Sequence, residues 1–163
     1  MKNIFVLVMA ALLFAPISFA ADMPQISIEQ TVIKKKIAED VSMDDAIASM
    51  KLRANLRNMK LVAHLPLSQQ VESMGQKARR MEIYQFCDPL TAQRMVEANI
   101  NFAAYLPCRI AVVEDNSGQG WLVMMNLDLM INGTTMSPEL KTKAIEVRDA
   151  LNDILQAGVD GDL

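Results

Sequence analysis

The chemistry open to this chain starts with two cysteines, Cys87 and Cys108, its only thiols. Each stands close to a proline, in Cys87-Asp88-Pro89 and in Pro107-Cys108-Arg109. Such a pair has three uses. It can close a structural disulfide, which for a loop of about 20 residues stabilises by about 3 kcal/mol in the chain-entropy model. It can act as a redox couple. Cys87 precedes a helix start, whose dipole lowers a thiol pKa, and Arg109 beside Cys108 pushes the same way. The spacing is far longer than the C-x-x-C of redox pairs, which counts against this use. Third, thiolates with thioethers form a soft site for copper. Methionine is abundant, with 13 residues, and all but Met1 and Met9 lie beyond the N-terminal segment. They are dispersed, however. Met43 and Met50 recur at helical spacing, where Met is an adaptable core filler, and only Met124, Met125, Met130 and Met136 fall near one another.

His64 is the single histidine. It alternates with Leu61, Ala63 and Leu65, and so sits on the opposite face of its strand, exposed or lining a pocket. No neighbour in sequence supplies the carboxylate that would orient it for acid–base work. Glu82, Tyr84, Glu114 and Asp115 are ordinary strand and turn residues unless a shared cavity gathers them. The pocket candidates are therefore His64, Tyr84, Asp88 and Arg109. No catalytic residue is assigned, and copper is the only cofactor with any donor set in view. No GxxxxGK[ST], GxGxxG or HExxH motif occurs.

The elements that must position these residues follow from periodicity and punctuation. Residues 31–38 read as a strand with Ile33 and Ile37 on one face and Lys34 and Lys36 on the other. Ser42 caps a helix running to about Asn58, with Asp44 and Asp45 suited to its N-terminal dipole. Residues 61–65 form a short strand ended by Pro66, and 68–76 a weakly patterned helix stopped by Gly75. Residues 80–87 are a strand, after which Asp88 caps a helix with Pro89 in its first position, ending near Asn99. Residues 109–114 are apolar on both faces, as in a central, covered strand. A turn at Asn116-Ser117-Gly118 leads to its hairpin partner, 120–126. Residues 130–136 read as loop. Ser137 and Pro138 open a last helix with the cleanest apolar stripe, which Gly158 stops, leaving 158–163 as a disordered tail. The order β-α-β-(α)-β-α-β-β-α describes an α+β fold: one mostly antiparallel sheet with helices packed on one face.

The N-terminus carries an export signal. Lys2 precedes an unbroken apolar run from Ile4 to Ala15, then Pro16 and Ser18-Phe19-Ala20. The run is shorter than the ~20 residues of a spanning helix, and small residues at 18 and 20 place cleavage between Ala20 and Ala21. Residues 1–20 are thus read as a signal peptide, 21–30 as a polar lead-in and 31–157 as one domain in the periplasm or outside the cell. No later segment is long and apolar enough to span a membrane. An oxidising compartment favours the disulfide among the three uses of the thiols. The formal net charge of −3 becomes one unit more negative without Lys2. That mild acidity excludes a nucleic-acid binder, which needs a basic face to displace phosphate counterions.

Two stretches go beyond generic patterning: Tyr84-Gln85-Phe86-Cys87-Asp88-Pro89 before a helix, and Tyr105-Leu106-Pro107-Cys108-Arg109-Ile110-Ala111-Val112-Val113-Glu114-Asp115 before a hairpin and Trp121-Leu122-Val123. Together they resemble the DUF302 family of bacterial and archaeal domains of unknown function. That family shows Phe-Cys-Asn-Pro before a helix, and Leu-Pro-Cys-Arg leading into a strand ending in Glu-Asp-Gly. The likeness is clearest over 81–156. Asp88 stands where the family usually has Asn, and both residues cap helices. The resemblance implies a compact α+β domain, often a homodimer, with no established activity. Some relatives are encoded near sulfur-oxidation functions.

Two functions are therefore expected. One is a non-enzymatic exported binding or accessory module, held by a Cys87–Cys108 bridge, whose partner is a small ligand or another exported protein. The alternative is a thiol-redox or soft-metal (copper) protein in sulfur metabolism that uses the two cysteines.

Overall fold

A computed structural model describes residues 25–162. The expected signal peptide, its cleavage point and the start of the lead-in segment lie outside the described residues. Within them, the strands are β1 (Val32–Lys36), β2 (Lys60–Leu65), β3 (Met81–Cys87), β4 (Cys108–Glu114) and β5 (Gly120–Met125). The helices are α1 (Met43–Leu56), α2 (Leu67–Ser73), α3 (Pro89–Ala98), α4 (Leu127–Gly133) and α5 (Pro138–Asp160). Short 3-10 turns, Ile28–Thr31 and Ile100–Tyr105, precede β1 and β4. The strands form one sheet in the order β1-β5-β4-β3-β2, with every neighbouring pair antiparallel. This is the expected α+β architecture.

Alternation makes the sheet two-faced. Tyr84 and Phe86 of β3, Ile110 and Val112 of β4, and Leu122 and Met124 of β5 are buried under the helices. Ala111, Val113 and Val123 point the other way and are half-buried on an open face. There Lys34 Nζ stands 4.0 Å from the Trp121 ring centroid, a cation–π contact. β4 is central, as its apolar sequence implies, but helices cover one of its faces only.

The caps lie where the sequence puts them. The Ser42, Asp88 and Ser137 side chains each accept from an amide in the first turn of α1, α3 and α5, with proline in the first turn of the last two. Each cap contributes about 1 kcal/mol. α1 and α5 lie side by side. Arg53 Nη1 and Arg57 Nε reach Asp153 at 2.7 and 2.5 Å, and Arg53 Nη2 reaches Asp162 at 3.0 Å.

Two local readings change. Residues 130–136 are not loop throughout, because α4 occupies Leu127–Gly133. Asn126 caps it by accepting from the Asp128 amide, and Leu127 and Ile131 bury one side. Gly158 does not stop the last helix, and no disordered tail begins there. α5 continues to Asp160 and ends at Gly161, which has the left-handed φ of 67° that suits glycine at a helix C-terminus. The short strand expected at 61–65 is β2, an edge strand whose register shifts between Leu61 and Ala63, with Leu61 and Leu65 42% and 36% exposed.

Gly158 has a packing role instead. A Cβ there would meet Met50 Cγ at 2.6 Å, Leu122 Cδ1 at 2.8 Å and the Ala46 carbonyl at 3.2 Å. The missing side chain is what lets α5 approach α1 and β5. Gly158→Ala is expected to destabilise by about 1–3 kcal/mol through overpacking, read as a lower midpoint in urea unfolding. Gly133→Ala, with nothing within 4 Å of the added Cβ, should leave the midpoint unchanged or raise it slightly.

Candidate functional site

β3 and β4 are paired so that Phe86 stands opposite Cys108. Phe86 is fully buried, so Cys108 faces the helix layer with it. Cys87, one residue further, pairs with Lys60 of β2. Both thiols nevertheless border one space at this end of the sheet, where β3 hands over to α3 and the 100–105 turn feeds β4. The space is a cavity of about 30 Å³. α3 contributes Thr91, Ala92 and Met95, the turn contributes Phe102 and Tyr105, and Met130 of α4 and Ala144 of α5 close the far side. Met59, buried in the α1–β2 connection, completes the wall. The Leu106–Pro107 peptide before Cys108 is cis.

The lining is apolar, with one carboxylate at its rim. Asp88 is occupied in capping α3: the Thr91 hydroxyl donates to it at 2.6 Å, and the Leu90 amide at 3.1 Å. These bonds, with the Thr91 amide, hold its carboxyl below the usual range despite partial burial. It is therefore an anchored anion rather than a proton carrier.

The expected Cys87–Cys108 disulfide is not formed; both residues are free thiols. Cys108 stands opposite Phe86, so the two cysteines are offset by one residue across β3 and β4 although both border the cavity. Nor are the thiols activated. Burial pushes Cys108 up to about 11, and the neighbouring Cys87 adds to the rise; Arg109 opposes it too weakly. Cys87 is raised by burial and then by Asp88. The helix-start and arginine effects expected from sequence lose to desolvation.

The four pocket candidates do not share a pocket. Asp88 is at the cavity. Arg109 pairs with Gln85 and borders the open sheet face beside Ile83 and Val123. His64 and Tyr84 form a separate cluster. They pair across β2 and β3, and their rings stack 4.5 Å apart between centroids at 13°. Glu82, 7% exposed, contacts both. Its Oε2 accepts from the Tyr84 hydroxyl at 2.5 Å and stands 2.7 Å from His64 Nε2, while its Oε1 accepts from Arg80 Nε at 2.5 Å. Arg80 also reaches Asp44 of α1 at 2.7 Å. Glu82 thus supplies the orienting carboxylate that the sequence near His64 lacks.

This cluster is a satisfied polar network. Burial would raise the Glu82 carboxyl. The hydrogen bonds from Tyr84, Arg80 and His64, with the Arg80 charge, outweigh burial and hold it below its ordinary value. The Tyr84 hydroxyl is pushed well above the ordinary phenol range by burial and by Glu82. A carboxylate with three donors and a phenol locked in its neutral form suit holding β2, β3 and α1 together. Asp115 is likewise a turn anchor, accepting from Ser117 and Gln119 and from Trp121 Nε1 at 2.7 Å.

Sequence reasoning missed the cavity, because its walls come from separated segments. The signal that was present is chemical: both cysteines and three methionines are spread over segments that fold to one place.

Two outcomes follow. At neutral pH both thiols should react with iodoacetamide more slowly than free cysteine, Cys108 slower than Cys87, with rates rising toward alkaline pH; resistance to alkylation until a reductant is added would mean a bridge. Glu82→Gln should cost about 1.5–3 kcal/mol near neutral pH, the range for hydrogen bonds to a charged group. The folded-state pKa of Glu82 is depressed. Its contribution is therefore complete above its unfolded value of 4.5 and is lost as pH falls through the folded value. The gap between wild type and variant in urea midpoints should narrow under acid; a gap constant with pH would exclude the ionised carboxylate as its source.

A family model described as "Domain of unknown function DUF302" matches residues 33–158. Among solved structures, the crystal structure of uncharacterized conserved protein DUF302 from Bacillus stearothermophilus is similar, with a TM-score of 0.67 at 18% sequence identity. The match covers 78% of this chain and 97% of that one, and at this identity the likeness is one of fold. No curated protein matches.

Proposed function

The chain belongs to the DUF302 family of domains of unknown function, and we propose that it serves as an exported, non-enzymatic binding module whose ligand occupies the cavity between α3, α4, α5 and the ends of β3 and β4. The observation that carries this reading is the character of the cavity. It is small, apolar and open at a mouth, and its one carboxylate is tied into a helix cap. A site for acid–base or nucleophilic work needs a group whose pKa is drawn toward the working pH. Here burial moves both thiols the other way. That also disfavours thiol-redox use, which needs an accessible thiolate. Export rests on the N-terminal signal. Among the described residues no helix is long and apolar enough to cross a membrane.

Xenon is a suitable probe, since apolar cavities that stay dry take it up. With methyl-labelled methionine, xenon pressure should produce saturable NMR shifts at Met59, Met95 and Met130. Met74, which is 79% exposed, should not respond. Ala92→Leu, which places a side chain into the cavity, should abolish the response. Shifts spread evenly over all methionines, or unchanged in the filled variant, would overturn the reading. Protein drawn from the periplasmic fraction is expected to have an intact mass that lacks residues 1–20; retention of that segment would overturn the export assignment.

A further inference from the structure

Five sulfur-bearing residues line one small cavity: Cys87 and Cys108, which carry thiols, and Met59, Met95 and Met130, which carry thioethers. They come from the α1–β2 connection, the end of β3, α3, the start of β4 and α4, so no spacing motif announces them. We propose that this cavity is a binding site for monovalent copper, Cu(I); the proposal rests on the reading of the cavity as the ligand site of the chain.

Ligand chemistry points to this ion. Thiolate and thioether donors are soft, and they select Cu(I) over the harder cations that prefer carboxylates, carbonyls and water. Zinc takes Cys, His and carboxylate ligands, usually four in a closed site. Among the described residues no group of three or more His, Cys, Asp and Glu is placed to hold a metal. The thioethers that make up most of the donors here are absent from the usual zinc ligand set.

Charge points the same way. An isolated ion is costly inside an apolar wall. Cu(I) with a single thiolate is a neutral unit, and thioethers complete its coordination without adding charge. The step balances simply. A thiol S–H bond breaks, a Cu–S bond forms, the proton leaves to solvent and no oxidation state changes.

The mouth fits a delivery route. A groove of about 200 Å³ adjoins the cavity, sharing Phe102, Tyr105 and Met130 with it and adding Met136. Met136 thus offers a thioether outside the cavity, and Met130 lies at the boundary of both spaces.

Anaerobic titration of the purified protein with Cu(I), buffered by a chromophoric Cu(I) chelator, tests the proposal, with Zn²⁺ titrated in parallel. The expected result is one Cu(I) withdrawn from the chelator per chain, with an X-ray absorption spectrum showing sulfur neighbours only. Met95→Leu nearly conserves volume and fold, and should weaken binding at least about tenfold; replacing both cysteines with serine should weaken it at least about 100-fold. Met74→Leu should have no effect. Circular dichroism checks folding first. If the double serine variant does not fold, Met95→Leu and Met59→Leu carry the test. Copper left entirely with the chelator, an affinity unmoved by the cavity substitutions, or equal uptake of Zn²⁺ would overturn the site. Xenon separates this proposal from the broader one: xenon shifts without copper uptake remove the copper site and leave the cavity reading standing, whereas loss of both removes both.

Discussion

The pairing of β3 with β4 is the constraint on which the rest depends. Tyr84 stands opposite Ile110 and Phe86 opposite Cys108. Because side chains alternate along a strand, that register commits Glu82, Tyr84, Phe86, Ile110 and Val112 together to the helix side. A slip of β3 by one residue would turn Glu82, Tyr84 and Phe86 outward and bring Ile83 and Gln85 under the helices. The same register sets the cysteines one residue out of step. The cavity and the buried carboxylate network are two results of a single alignment.

That alignment also separates two kinds of polar economy on one strand. At one end Glu82 is a buried charge, tolerated because three donors meet it and because Arg80 carries the connection on to Asp44 of α1. At the other end the wall is sulfur and hydrocarbon, and the only carboxylate nearby is engaged with the first turn of α3. Buried charge that is fully hydrogen-bonded stiffens and specifies; apolar space that is not filled remains available. The difference, seven residues of β3 from end to end, divides the structural part of the domain from the part open to a ligand.

Much of the architecture was legible in the sequence because its cues are local. Ser42, Asp88-Pro89 and Ser137-Pro138 open helices through their own side chains and ring constraints. The β4–β5 hairpin follows from its turn residues. The family could be read from the two cysteine-containing stretches. The misreadings share a cause of another kind. Gly158 looks like a helix stop because glycine lowers helix propensity, yet it is retained in mid-helix by the approach of Met50 and Leu122, residues far from it in sequence. For the site, the local cues to a lowered thiol pKa are Arg109 and the helix start. Desolvation by non-adjacent walls decided the outcome.

The strand order has a consequence for how this chain reaches its folded form. β1 finds its single strand neighbour in β5, with Val32 against Met125, and between them the chain must lay down β2, β3 and β4. An emerging N-terminal portion holding β1, α1 and β2 thus has edge strands but no sheet centre to pair with, and α1 has no α5 to shelter its apolar side. Non-local pairing of this kind delays closure, since the loop entropy is lost before the contacts are gained. The topology itself holds folding back until β5 and the last helix are available.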